Sequence, residues 1–188
     1  ITYKFKGYTL IRKDGKNGRG GVATYIRNDL QYSKVEYLND LEGMSVQVDT
    51  SNGTIEIINL YISPNTYYNE ASLQKLFDRE NVFICGDFNA KSTLWGSPKS
   101  DIRGRSLENI LQTSDIVVLN TGSPTRMNKN GGSHIDLFFC VPRYASNAKW
   151  TTLDTTFGSD HNLIQIEFQT NVRCQSFNKS RWIFHKAD

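Results

Sequence analysis

Apolar and polar residues alternate over short stretches in the first part of the chain, and the spacing becomes helical only twice. "YTLIR" (Tyr8 to Arg12) and "GVATYIR" (Gly21 to Arg27) predict strands on either side of the loop "KDGKNGRG", whose Asp, Asn and Gly residues tolerate positive φ. "MSVQVD" (Met44 to Asp49) alternates as a half-buried strand should. "TIEIINLYI" (Thr54 to Ile62) follows across the "TSNG" turn, so the two runs predict a hairpin. In "NEASLQKLFDRE" the apolar positions Ala71, Leu73, Leu76 and Phe77 form a helical stripe that starts near Asn69 or Glu70. "NVFICGDFNA" is a β-rich apolar run that stops at Gly86, and a second helix is expected within Arg105 to Ser114, burying Leu107, Ile110 and Leu111. "IVVLN", "SHIDLFFC", "KWTTLD" and "LIQIEF" supply further strands. Strands outnumber helices and two helices fall between strands, which predicts an α/β sandwich, sheet on sheet with helices outside. Past Phe168 the periodicity ends, so residues 1–168 read as one domain and 169–188 as a linker or docking tail leading to a downstream domain.

Composition narrows this little. The 188 residues fit one domain, and 38% apolar with 12% aromatic residues is ample for a buried core and too apolar for a disordered segment. The balance of 22 basic and 19 acidic residues, +3, permits a phosphate-rich partner without arguing for one. No apolar run approaches the roughly 18 residues that a membrane-spanning helix needs, so no membrane partner is expected. Cys85, Cys140 and Cys174 lie far apart, without the short spacing of a zinc site or the even number of a disulfide framework. Cys85 and Cys140 each end an apolar run and read as small buried hydrophobes, which points to a reducing, intracellular compartment.

The polar residues that matter sit at the ends of apolar strands, where a rigid scaffold presents them to solvent. Asp87 and Asn89 follow "VFICG", Asp136 lies inside "SHIDLFF", Asp160 and His161 precede the last strand, and Tyr61 ends "IINLY". Singly, each has an ordinary structural reading: a turn former, a surface dyad, a carboxylate satisfied by backbone, an interface aromatic. Jointly they are the parts for hydrolysing a phosphate ester: a carboxylate and a histidine as orienter and base, a second carboxylate for a divalent metal, and an amide donor for phosphoryl oxygens.

"GDFNA" (Gly86 to Ala90), "SHID" (Ser133 to Asp136) and "SDH" (Ser159 to His161), in that order, resemble the endonuclease/exonuclease/phosphatase superfamily. "NLYISPN" is similar to its tyrosine-bearing strand, and "SPT" (Ser123 to Thr125) to the segment before the third motif. "GDFNAKSTLWGSPKSDIRGRSLENIL" and the tail "SRWIFHKAD" narrow the resemblance to endonuclease domains of non-LTR (LINE) retrotransposons, especially the jockey-like group, over Tyr8 to Asp188. The resemblance implies a four-layered α/β sandwich of two mainly antiparallel sheets packed face to face. It implies a Mg2+-dependent DNA endonuclease, with Mn2+ as a substitute metal, that nicks one strand and leaves a 3′-hydroxyl to prime reverse transcription in the nucleus. His161 would activate water, oriented by Asp136. Asp87 would assist attack or protonate the leaving oxygen, Asn89 would bond a phosphoryl oxygen, and Tyr61 would contact the phosphate or leaving group. Asp160 would help hold the metal, and Thr125 would contact phosphate.

The same resemblance implies a first strand bearing an Asn and a following helix or its end bearing a Glu, the principal metal ligand, both upstream of the segment matching Tyr8 onward. Only "ITYKFKG" precedes Tyr8, and Glu36, Glu42 and Glu56 fall in later strands or loops. The chain is therefore expected to be an N-terminally truncated piece of a longer polyprotein that includes a reverse transcriptase. The expected consequence is an empty strand position in the core. Basic residues in one Gly-rich loop (Lys13, Lys16, Arg19) and after "WGS" (Lys99, Arg103, Arg105) could touch DNA phosphates or serve only as solvated charge. Two alternatives stand beside the nuclease: an inactive remnant that at most binds nucleic acid, and a phosphatase or phosphodiesterase of the same fold acting on a small phosphoester.

Overall fold

The structure, a computed structural model, describes residues 3–15, 18, 20–129, 131–153 and 155–174. In chain order the first half contains β1 (Tyr8–Asp14), β2 (Gly21–Arg27), β3 (Tyr32–Tyr37), β4 (Gly43–Thr50), β5 (Gly53–Tyr61), α1 (Glu70–Phe77) and β6 (Val82–Asp87). The second half contains α2 (Ile102–Gln112), β7 (Val117–Val118), β8 (Arg126–Asn128), β9 (Gly131–Ser133), β10 (Asp136–Cys140), α3 (Pro142–Ala145), β11 (Ala148–Leu153) and β12 (Leu163–Phe168).

Six strands form the central sheet in the order β3-β4-β5-β6-β10-β7. β3, β4 and β5 are an antiparallel meander, and α1 carries the chain over to β6, which runs parallel to β5. A side-chain period of two then sorts the faces. Ile58, Leu60, Val82, Ile84, Leu137 and Phe139 join the core under α1 and α2, together with Leu73, Phe77, Leu107 and Ile110. Ile55, Phe83, Phe138 and Cys140 face the other way and pack against Trp150, Ile164, Ile166 and Phe168. Asn69 is the N-cap of α1, its side chain accepting the N–H groups of Ala71 and Ser72.

That second face is covered by two separate hairpins, β1-β2 and β11-β12, each antiparallel and each two-stranded. The fold is thus the expected sandwich, with helices on the outer face of the six-stranded sheet and a second strand layer on its inner face. Between β2 and β12 lies a cavity of about 510 Å³, lined by Gly21, Val22 and Ala23 on one side and Ile164 and Ile166 on the other.

Several boundaries differ from the sequence reading. α2 starts at Ile102 instead of within Arg105 to Ser114, because Asp101 caps it by accepting the Gly104 N–H at 2.7 Å. "IVVLN" yields only Val117 and Val118 as strand. β3 and the β8-β9 hairpin went unanticipated: β3 is a mostly half-exposed edge strand with little alternation, and β8-β9 has three residues on each side. Of the expected tail, residues 175–188 lie outside the described residues. The described part docks: the Ser51 N–H donates to the Asn171 carbonyl at 2.8 Å, and the Arg173 N–H to the Asp49 carbonyl at 2.9 Å.

Candidate active site

Three neighbouring strands deliver one polar row. Tyr61 on β5 stands in register with Asp87 on β6, and Asp87 with Asp136 on β10. By the same period of two, Asp87 shares its face with Phe83 and Cys85, and Asp136 with Phe138 and Cys140. The row therefore ends the inner, hairpin-covered face, and all three residues line the cavity. Gly86 makes this register attainable. Its φ is 148°, and a Cβ there would stand 1.8 Å from the Leu60 carbonyl oxygen, so only glycine lets β6 lie against β5 beside Asp87.

His161 enters from the segment before β12. Its Nδ1 lies 3.0 and 2.9 Å from the two Asp136 carboxylate oxygens. An ionised carboxylate only accepts, so Nδ1–H is the donor of this pair, which leaves Nε2 free of it. Both groups are part-buried, which strengthens their coupling relative to open water. Asp87, Asp136 and His161 offer ligand atoms that all lie within 4.8 Å of one another. Burial first, and the Asp136 carboxylate second, push the Asp87 carboxyl above its ordinary range. The Asn89 N–H donates to Asp87 Oδ1 at 2.9 Å, in a tight turn that puts Asn89 at φ 46°. Asn89 Nδ2 donates to the Ile62 carbonyl at 3.1 Å, tying the turn to the end of β5.

The remaining candidates are placed elsewhere. Asp160 is exposed and stands outside the cluster; Arg126 Nε and Nη2 reach its Oδ2 at 2.7 and 2.6 Å and hold its carboxyl below the usual range. Thr125 is fully buried, and its hydroxyl accepts the N–H groups of Ile135 and Asp136 at 3.1 and 3.0 Å. The partners that the structure gives this residue, expected to contact phosphate, are backbone groups. Arg103 donates from Nη2 to the Ser63 and Thr66 carbonyls and its guanidinium lies over the Tyr68 ring at 5.8 Å, so it staples the loop after Tyr61. Arg105 bonds the Ser100 carbonyl at 2.9 Å and is exposed on α2. Lys13 donates to the Leu38 and Leu41 carbonyls, and Lys16 and Arg19 lie outside the described residues.

Of the acids set aside, Glu36 and Glu56 pair with Arg79, and Glu42 accepts the Gly21 N–H. Cys85 and Cys140 are core fillers whose thiols are pushed up to about 11 by burial. The sequence reading missed Asn120, whose Nδ2 donates to the Asp136 carbonyl at 2.9 Å while its Oδ1 accepts the Phe138 N–H at 2.9 Å. An Asn ending the run "IVVLN", where a strand would otherwise continue, was the available signal.

These parts resemble known proteins in both sequence and fold. The family model described as endonuclease-reverse transcriptase matches residues 55–165. An RNA-directed DNA polymerase from mobile element jockey of Drosophila funebris is 30% identical over 147 residues, covering 74% of this chain and 16% of the relative. A probable RNA-directed DNA polymerase from transposon BS of Drosophila melanogaster is 32% identical over 129 residues, covering 66% of this chain and 14% of the relative. The chain thus spans about a sixth of the length of such relatives. Among solved structures, the endonuclease domain of TRAS1, a telomere-specific non-LTR retrotransposon, superposes with a TM-score of 0.71 at 23% identity, covering 91% of this chain and 81% of that one. At that identity the superposition speaks for the fold. The match over residues 55–165 takes in Tyr61, Asp87, Asn89, Asp136 and His161, and the chain belongs to the endonuclease-reverse transcriptase family.

Proposed function

We propose that this chain is a divalent-metal-dependent DNA endonuclease that nicks one strand and leaves a 3′-hydroxyl, acting in the nucleus as part of a polyprotein with a reverse transcriptase. The Asp136–His161 pair beside Asp87 is the single observation that carries this reading. His161 Nε2 takes the proton from an attacking water, and Asp136 holds the ring in the required tautomer and offsets the charge of the resulting imidazolium. Asp87, with its raised proton affinity, suits donation of a proton to the leaving oxygen. The Tyr61 hydroxyl and the Asn89 amide offer neutral donors to the phosphate.

The donor set fits a hard cation. Asp87 and Asp136 place carboxylate oxygens within 4.8 Å of each other, the hard oxygen donors such a cation takes. Asp87 would hold Mg2+ or Mn2+ only when ionised, so its metal-holding and proton-donating roles exclude one another, and Asp160 would join only by exchanging its Arg126 partner. Such a cation, when bound, neutralises charge that builds on the phosphoryl oxygens.

Incubation with supercoiled plasmid tests the reading. Relaxed circles are expected with Mg2+, and none with EDTA or with His161→Ala; a protein that leaves plasmid supercoiled at all Mg2+ and Mn2+ concentrations overturns it. A second reading, nucleic-acid binding without turnover, is favoured by the open cavity beside the polar row. It expects salt-dependent DNA binding with no metal-dependent nicking.

A further inference from the structure

The Asp136–His161 bond joins residues 25 positions apart on different elements, β10 and the segment before β12. A single short stretch, Pro124 to Met127, holds both sides. Toward β10, the Thr125 hydroxyl accepts the Ile135 and Asp136 N–H groups and reaches the Ser133 carbonyl at 3.4 Å, while the Thr125 N–H donates to the same carbonyl at 2.9 Å. Toward the histidine, the Thr125 carbonyl accepts the Asn162 N–H at 2.8 Å and the Pro124 carbonyl accepts Asn162 Nδ2 at 3.0 Å. The Met127 N–H donates to the Asp160 carbonyl at 2.8 Å, and Arg126 forms a β-bridge with His161 itself.

We infer that Thr125 is a positioning residue that sets the geometry of the Asp136–His161 pair. This deepens the nuclease reading and rests on it for its catalytic consequence. A hydroxyl is a single donor with room for two acceptor bonds; here the two N–H groups fill the acceptor room and the O–H itself is directed to the Ser133 carbonyl at 3.4 Å, so both capacities are turned to backbone. The residue is fully buried, so a phosphate could not reach it without opening the core. Thr125→Val keeps the volume but leaves the Ile135 and Asp136 N–H groups without a partner, which frees the start of β10 to shift. Thr125→Ser keeps the hydroxyl.

The test pairs a readout of the dyad with one of turnover. In 1H–15N spectra the His161 Nδ1–H bonded to a carboxylate gives a downfield proton signal. It is expected in the wild type and in Thr125→Ser, and lost in a folded Thr125→Val protein. Plasmid nicking is expected to fall roughly 10- to 100-fold in kcat for Thr125→Val with KM little changed, as misplaced catalytic groups do, and to stay within about threefold for Thr125→Ser. A phosphate contact would instead raise KM and leave the His161 signal intact, which overturns the inference. If Thr125→Val does not fold, the serine variant decides: wild-type stability with a lost His161 signal also overturns it. A wild type that shows the signal yet never nicks DNA sinks the nuclease reading alone, because the spectra still report whether Thr125 sets the pair.

Discussion

Asp87 stands where its charge is unwelcome. It is half-buried, one strand away from Asp136, and the Asn89 N–H, the nearby His161 and the Asn89 side chain offset this only in part. The folded protein therefore binds its proton more tightly than the unfolded chain does. Below the unfolded carboxyl's range both states are protonated and Asp87 takes nothing from stability. As pH rises, the unfolded chain ionises first, and stability falls until the folded pKa is passed. Asp87→Asn removes the titration while keeping an oxygen for the Asn89 N–H. The variant is expected to unfold at higher urea than wild type at neutral pH, by about 0.5–2 kcal/mol, with the gap closing toward acid pH. Paired urea curves from pH 3 to 7 check this; a gap that is constant or inverted contradicts the arrangement. The same variant is expected to lose nicking, so the group that destabilises the fold is the one the chemistry uses.

α2 illustrates what the sequence could and could not disclose. Its buried positions, Leu107 and Ile110, were legible from spacing. Its first turn was not, since Gly104 reads as a helix breaker. The structure gives the reason for that glycine: a Cβ would stand 1.7 Å from the Lys91 carbonyl oxygen, and the Asp101 carboxylate ties the two segments by accepting the Gly104 and Lys91 N–H groups. Intrinsic propensity alone expects Gly104→Ala to stabilise by about 1 kcal/mol. The packing expects the reverse, a loss of about 1–3 kcal/mol from overpacking against backbone. A thermal melt separates the two, and a raised midpoint would refute the contact. The site follows the same division. Tyr61 and Asp87 were legible because each closes an apolar strand, and Asp136 because it precedes the apolar run of one; the period of two puts them on one face. The backbone partners of Thr125 and Arg103 were not legible, because residue type does not say whether a polar group faces phosphate or backbone. That depends on contacts across 11 and 40 residues of sequence, which no local pattern carries.

The layers of the sandwich differ in how they are held. The six-stranded sheet has both faces covered, with the largest core between it and the two helices. Each hairpin has one partner strand and one buried face. Under β1-β2 sits a small cluster of Ile26, Val46 and Val48; under β11-β12 sits a separate one around Phe83, Phe138 and Trp150, where the Phe83 and Phe168 rings stack at 4.4 Å. With the cavity between them, β2 and β12 do not share a hydrogen-bond ladder among the described residues, so the hairpins can open as separate units. Hydrogen exchange read by mass spectrometry is expected to show residues 8–27 and 148–168 taking up deuterium well before 53–61, 82–87 and 136–140. Equal protection across both layers would contradict this order. The division bears on function through where the catalytic groups are planted. Tyr61, Asp87 and Asp136 are rooted in the sheet expected to open last, whereas His161 stands just before β12. Opening of the second hairpin would withdraw the base and leave the carboxylates in place. The stretch from Pro124 to Met127 and the docked residues 171–174 are the ties on either end of β12 that resist it. Loosening the Arg126–Asp160 pair with Arg126→Met is thus expected to speed exchange in 155–168 without changing it in 82–87 or 136–140, and a uniform change across all three would place the ties elsewhere.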